Sequence, residues 1–408
     1  MKILFYNHTA QVSGAERLLL MILSRLNRVA FDSVVVCPRG GPLAEMASDL
    51  AIRVETVAGL EARFTLRVDR LFRYLRSFYE VISQVRQSVI TIKPDLVHAN
   101  SIRSGLVATA ATIGLGTRVV WHLHDLLPRH PLSTAIRCFV LLSSRTQMVA
   151  VSEAVAINFR GAFFPLQRRI SVILNAIDLD KFYPNLNGGQ KQRDDLNLSN
   201  AETLIGIVGQ ITPRKGQLEL LRAFAQVLVD VPSAMLLVVG APLFNGDGEY
   251  LELLKRTARE LGIEHRVRMP GARSDIASIM QALDLLVINS TAEPFGLVAL
   301  EAMACGTPVL ATATGGLPEI IEHGNDGWLV PLRDEKSLVV AMVNLALQPA
   351  LRRRLAEHGK KRVASRFSAD RYLTELQSFY RSCLKSPAAP ADLSDHERNG
   401  LTAPGSSI

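Results

Sequence analysis

The sequence predicts an α/β protein made of two parallel-sheet domains in tandem. Three observations carry that expectation. Short Val-, Ile- and Leu-rich runs alternate with stretches of helical period from the first residues onward, and repeated β-α units imply parallel strands joined by right-handed crossovers. The alternation stops at residues 175–200, where Pro184-Asn185-Leu186-Asn187-Gly188-Gly189 and a charged run over 191–195 read as a linker, and then it resumes. The 408 residues are enough for two domains.

In the first half, strands are expected at 3–6, 33–37, 54–57, 96–99, 118–122, 148–151 and 170–174. Helices are expected at 15–26, 43–50, 66–92, 104–113 and 134–142, and Ser152 is placed to N-cap another. After the break, strands at 204–208, 235–239, 267–269, 284–289, 308–312 and 328–330 alternate with helices at 218–229, 249–261, 335–347 and 350–366. Ser368 is expected to N-cap a last helix reaching about residue 383. The domains are accordingly drawn at 1–178 and 201–366, with a linker at 179–200 and a final helix at 367–384. The tail at 385–408 lacks an apolar face, and disorder is expected there. No repeat of solenoid period is present.

An apolar content of 48% allows large buried cores, and a net charge of +8 suits anionic partners such as nucleotide sugars, phosphorylated lipids or anionic membrane. No nucleic-acid-binding motif appears, so nucleic acid is not an expected partner. Cys37, Cys138, Cys305 and Cys383 have no metal or redox spacing. Buried free thiols are expected at Cys37 and Cys305, which points to a reducing, cytoplasmic compartment. The first seven residues read as a strand rather than a leader. No run approaches about 18 apolar residues, so membrane contact is expected only as a peripheral one, on the inner face. One helix bears on that contact. Phe64, Val68, Leu71, Leu75, Phe78 and Ile82 form one stripe, and Arg67, Arg70, Arg73 and Arg76 spread over the other side. The stripe either covers the first sheet or lies on anionic lipid.

The richest stretch, from Ala292 to Thr312, reads A-E-P-F-G-L-V-A-L-E-A-M-A-C-G-T-P-V-L-A-T. Glu293 falls in a loop at the carboxyl end of a strand, where open α/β sheets bind ligands. Glu301 falls about two turns along the next helix. The amides near Phe295, Gly296 and Leu297 open that helix and can face an anion. Taken singly, Glu293 also reads as a helix cap and Glu301 as a solvated charge. Gly14, in the first strand-to-helix loop, lets backbone approach a ligand closely, or simply starts a helix. His122 and His124 share a side of their strand end, next to Asp125. These three make only a weak metal set, because no further ligand lies nearby in the sequence. Arg214-Lys215-Gly216 links a strand to a helix as a phosphate site does, without Walker spacing.

The string from Glu293 to Glu301, followed by Gly315-Gly316-Leu317-Pro318-Glu319-Ile320, resembles the E-x7-E signature of the retaining glycosyltransferases of family 4. The resemblance covers nearly the whole chain and is densest from 206 to 331. It implies the GT-B fold, with two Rossmann-like domains facing a cleft and a C-terminal helix crossing back to the first. It implies a nucleoside-diphosphate-sugar donor, no cofactor, no fixed metal, and a glycan or lipid-linked glycan acceptor in polysaccharide, lipopolysaccharide or glycolipid synthesis. In that family's terms Glu293 would contact the donor sugar and Glu301 the ribose. Gly14 would lie near the phosphate or the reacting centre, and Lys215 on the departing diphosphate. His124 would lie beside the reacting sugar, with Asp125 orienting it or meeting the acceptor. Arg273 would lie in the loop that cradles the base. This chain departs from the pattern twice. Ser13 replaces the first glycine of the N-terminal loop, and Gln210 replaces an arginine, so Arg214 becomes the candidate for the second charge. Asp178-Leu179-Asp180 matches the D-x-D of metal-dependent GT-A enzymes but opens the linker, away from the donor strands. A sugar-nucleotide epimerase on the same fold and a non-catalytic binding protein remain open alternatives.

Overall fold

The apolar runs assemble into two parallel sheets. The structure, a computed structural model, describes residues 1–60, 68–198, 201, 203–242 and 247–385, without the side chains of 68–74 and 247. The first half runs β1 Lys2–Tyr6, α1 Gly14–Arg25, β2 Asp32–Pro38, α2 Pro42–Asp49, β3 Arg53–Val57, α3 Val68–Ile92, β4 Leu96–Ala99, α4 Ile102–Ala111, β5 Arg118–Leu123, α5 Pro131–Leu142, β6 Thr146–Ala150, α6 Glu153–Arg160 and β7 Ile170–Val172. The second half begins α7 Leu186–Asp195, β8 Thr203–Val208, α8 Gln217–Asp230, β9 Ala234–Val239, α9 Asp247–Glu260, β10 Val267–Gly271, α10 Ile276–Ala282 and β11 Leu285–Ile288. It ends α11 Leu297–Cys305, β12 Val309–Thr312, α12 Leu317–Ile320, β13 Trp328–Val330, α13 Glu335–Leu347, α14 Pro349–Arg366 and α15 Ala369–Lys385.

The sheets are ordered β3-β2-β1-β4-β5-β6-β7 and β10-β9-β8-β11-β12-β13, and neighbouring strands in both pair in parallel. In each sheet the order reverses beside its first strand, between β1 and β4 and between β8 and β11. Connections leave in opposite directions there, which opens a crevice at the carboxyl ends of the strands. Every residue of β8 and β9 is buried, so these strands read as continuous apolar runs rather than alternating ones.

The second half of α3 lays Val81, Val85, Val89 and Ile92 on the first sheet, with Phe78 and Ile82 packed beside them. Each fully buried valine contributes about 1.5–3 kcal/mol. Leu75 and Arg76 face solvent. The side chains of Phe64, Arg67, Val68, Arg70, Leu71 and Arg73 lie outside the described residues, as does the tail from 386 to 408.

Two crossings join the domains side by side: Ile177 donates its amide to Phe367 O at 2.9 Å and bridges Ser368. Beyond them α15 crosses back to the first sheet. Its buried Tyr372, Leu373, Leu376, Tyr380 and Cys383 recur at helical spacing and pack among Ile3, Phe5, Leu19, Ile22 and Leu23. Cys37, Cys305 and Cys383 are buried free thiols, and Cys138 is exposed.

One expectation needs correction. The stretch read as linker contains α7, which packs on α10. Asn185 accepts the Gly188 amide at 3.0 Å and caps it. The charged run is part of this helix: Arg193 reaches Ala282 O at 2.8 Å and Asp284 at 2.7 Å. Gly188 and Gly189 are poor helix formers, which hid it. They serve close approach, since a Cβ on Gly189 would lie 2.3 Å from Gln281 O.

Candidate active site

The first-domain wall is built at the ends of β1, β4 and β5. His122 lies on β5 and His124 just past its end, with ring centroids 3.9 Å apart. His124 Nε2 meets Asn100 Oδ1 at 3.3 Å, and because a carboxamide oxygen only accepts, the ring nitrogen donates. Burial pushes the His124 pKa down to about 3, so the ring is neutral at physiological pH. Asn100 in turn donates to Asn7 at 3.1 Å, and Asn7 donates to Glu16 at 3.2 Å. Glu16 accepts from the amide of Ser13 at 3.0 Å and from its hydroxyl at 2.5 Å. Ser13 therefore has a structural use, closing the first turn of α1 where the family pattern has a glycine. A Cβ on Gly14 would lie 3.5 Å from Leu297 Cδ1, which places this loop against the first turn of α11.

Asp125 has an exposed side chain, yet protein surrounds it closely in the cleft. Desolvation raises its carboxyl above the ordinary range, opposed by Arg214 on the other wall and by Arg103. His8, next to Arg103 and Glu16, is held down to about 4, chiefly by burial.

On the second wall, Lys215 Nζ lies 2.6 Å from Glu293 Oε2, with side chains only 14% and 10% exposed. Ser290 donates to the same oxygen at 3.0 Å, and Thr312 holds the Ser290 carbonyl at 2.7 Å. Two glycines make the pair possible. Gly315 (φ +54°) approaches so closely that a Cβ would fall 1.8 Å from Glu293 O, and Gly216 (φ +69°) leaves 2.1 Å to Asn289 O. Arg214 donates to Ala292 O at 2.8 Å and its own carbonyl accepts from the Thr291 amide at 2.8 Å, which stitches the loops after β8 and β11 together. The carbonyl of Gln210 accepts from Gln217 at 2.8 Å.

Glu301 is half-buried on α11; desolvation raises its carboxyl pKa, opposed by Arg17, Lys181 and Lys215. Those cations come from the first domain, the interdomain crossing and the second domain. Gly296 N-caps α11, so the Gly296 and Leu297 amides open it, while the Phe295 ring is buried against Phe367. Arg273 forks onto Asp275 at 2.9 and 2.7 Å, which occupies the guanidinium proposed for the base loop. Asp178 and Asp180 both pair with Arg25 of α1.

Sequence reasoning missed the groups that hold these side chains. Asn100 directly follows β4 beside the switch point, and that position was its signal. Arg103 follows it in the first turn of α4. Glu319 spans the domains: it accepts the amides of Glu153 at 2.8 Å and Ala154 at 2.9 Å, and so caps α6 from the other domain. Ser152 donates beside it to Pro294 O at 2.6 Å and accepts the Val155 amide at 3.1 Å.

Two Rossmann-like domains whose switch points meet across one cleft define the GT-B class. The sequence model of the Glycosyl transferases group 1 matches residues 189–362, and that of Glycosyltransferase Family 4 matches 12–181. The chain is similar to a D-inositol 3-phosphate glycosyltransferase of Segniliparus rotundus, with 31% identity over 306 residues, 72% of this chain and 67% of that one. Matches to two other proteins of that name, from Corynebacterium jeikeium and Mycobacterium marinum, span about half of their length. It is 24% identical over 380 residues to the UDP-Gal:alpha-D-GlcNAc-diphosphoundecaprenol alpha-1,3-galactosyltransferase of Escherichia coli, covering 90% and 94% of the two chains. Among solved structures, Anabaena HepE in complex with UDP-glucose superimposes with a TM-score of 0.81 and 28% identity over 94% of this chain and 100% of that one. The chain belongs to the group 1, family 4 glycosyltransferases, and its activity is glycosyl transfer.

Proposed function

We propose that this glycosyltransferase moves a sugar from a nucleoside diphosphate, of which UDP is the first candidate, to a hydroxyl of a phosphorylated or lipid-linked glycan acceptor, with retention and without a metal. The observation that carries the reading is the Lys215–Glu293 pair at 2.6 Å in the crevice between β8 and β11. A donor entering there meets both halves of the pair at once. Its sugar hydroxyls donate to Glu293, and its diphosphate receives Lys215 and the amides that open α11. The bond from the anomeric carbon to the diphosphate oxygen breaks while the bond to the acceptor oxygen forms on the same face. The acceptor's proton passes to the leaving phosphate oxygen. Neutral His124 and Asp125 border the reacting sugar from the other wall.

The UDP-glucose complex of the Anabaena protein supports the donor class. Metal independence is supported by Lys215, whose ammonium, buried beside Glu293, supplies positive charge where the diphosphate would depart. An anionic acceptor is supported by charge. Residues 1–178 hold 21 basic and 12 acidic side chains, a formal +9 against +8 for the whole chain. Arg103 is exposed in the cleft among them. The same asymmetry supports peripheral contact with anionic lipid; among the described residues no helix is long and apolar enough to cross a membrane.

The test is turnover of a panel of UDP-, GDP- and ADP-sugars in EDTA, with soluble phosphosugars and polyprenyl-diphosphate sugars as acceptors, and NMR of the product's anomeric proton. Transfer with the donor's configuration is expected. Inversion would exclude retention, and loss restored only by magnesium or manganese would exclude metal independence. Epimerised sugar formed without acceptor would favour the epimerase.

A further inference from the structure

A line of buried aromatic side chains leads from the C-terminal crossover helix to His124, and the reaction as described uses only its last member. Tyr380 of α15 is wholly buried, and its hydroxyl meets His98 Nδ1 at 2.8 Å. His98, on β4, meets His122 of the neighbouring strand edge to face, with centroids 5.2 Å apart at 86°. His122 lies 3.9 Å from His124, which ends on Asn100. The line runs along the sheet face that carries Phe5, Leu96 and Val120, beneath α1 and α15.

Two features set this line apart from ordinary core. His122 is fully buried with no partner on either ring nitrogen, and His98 has none on Nε2. An unpaired polar group in the core keeps its full desolvation cost, whereas an apolar ring of similar shape costs nothing of the kind. The line is also tied only at its ends. Burial keeps the Tyr380 phenol protonated, so it donates to His98 Nδ1 and leaves the His98 proton on Nε2. Asn100 fixes His124 at the other end. Rings in face-to-edge contact cannot turn independently in a close-packed core.

We infer that Tyr380, His98 and His122 are positioning residues for His124, so that docking of the crossover helix sets the orientation of the histidine in the cleft. The inference rests on the reading that His124 borders the reacting sugar. The helix that closes the polypeptide onto the first domain is then also what completes the first-domain wall.

The experiment uses the full chain. Tyr380→Phe keeps the ring and removes the hydroxyl, and His122→Phe keeps the stacked shape and removes the nitrogens. Each should lower kcat about tenfold, in the range that small misplacement of a reacting group produces, with donor KM unchanged. In histidine-labelled protein the His124 ring ¹⁵N resonances should move in Tyr380→Phe. A merely structural role would lower the melting temperature and leave kcat and those resonances in place, and that result overturns the inference. His124→Ala separates the two layers. If it keeps wild-type turnover, the site reading itself fails. If it is inactive while folded Tyr380→Phe and His122→Phe turn over normally, only the positioning inference fails.

Discussion

On the first wall of the cleft, His98, His122 and His124 follow one another in ring contact without a counter-charge, and burial holds them neutral. On the second, Lys215 and Glu293 meet as an ion pair that is nearly as deep. The first wall gives shape and hydrogen bonds; the second carries the opposite charges that a polar, ionising donor can take over. A buried pair is weak evidence for stability, because desolvation offsets most of the attraction. Its placement at a strand switch point therefore argues for use rather than support.

The largest effect that would break this contrast is at the charged wall. Lys215→Ala should lower turnover by about 10²–10³-fold, as loss of a group facing developing charge does, and raise donor KM by less. The variant also strands Glu293 without its cation, so melting must be recorded beside the kinetics. Wild-type turnover in folded enzyme would remove the leaving-group role. Next come Glu293→Gln and Glu301→Gln. Each should cost about 1.5–3 kcal/mol in kcat/KM for the donor, the worth of a charged hydrogen bond; unchanged kinetics in both would move the donor site elsewhere.

The neutral wall is sharpened by pH. In the unfolded chain histidine titrates near 6.5, while folded His98 and His124 resist protonation until about pH 3. As pH falls through about 6.5 the unfolded state takes up protons that the folded state cannot, so stability should fall toward acid. Melting temperature between pH 7.5 and 5 checks this, and His122→Phe should flatten the dependence. An equal slope in both proteins would mean that His122 adds nothing to it. Glu319→Gln weakens the cap that one domain places on the other; about 0.5–2 kcal/mol is expected from melting, in the range of an N-cap loss. The smallest effect should come from Arg214→Ala. Its guanidinium is exposed and makes one hydrogen bond to Ala292 O, so turnover should fall less than tenfold. A loss as large as that of Lys215→Ala would make it the missing second cation.

Much of the fold was legible because buried parallel strands are continuous apolar runs, as at 204–208 and 235–239. The helix at Leu186–Asp195 was not, since its glycines lower propensity and its burial depends on α10. At the site, strand-end loops gave the residues but not their pairing. Lys215 and Glu293 lie 78 positions apart, and only the adjacency of β8 and β11 joins them. Arg273 illustrates the opposite difficulty: a basic residue in a plausible loop is occupied by the carboxylate two positions on. Tyr380 and His98, 282 positions apart, could be linked only once α15 was seen to cross back.

The cap on α6 has a kinetic corollary. Its two amides belong to one domain and the carboxylate that accepts them to the other, so parting the domains bares both N–H groups to water. Their exchange with deuterium would then time the opening of the cleft, a clock read from backbone protons that takes no part in the chemistry.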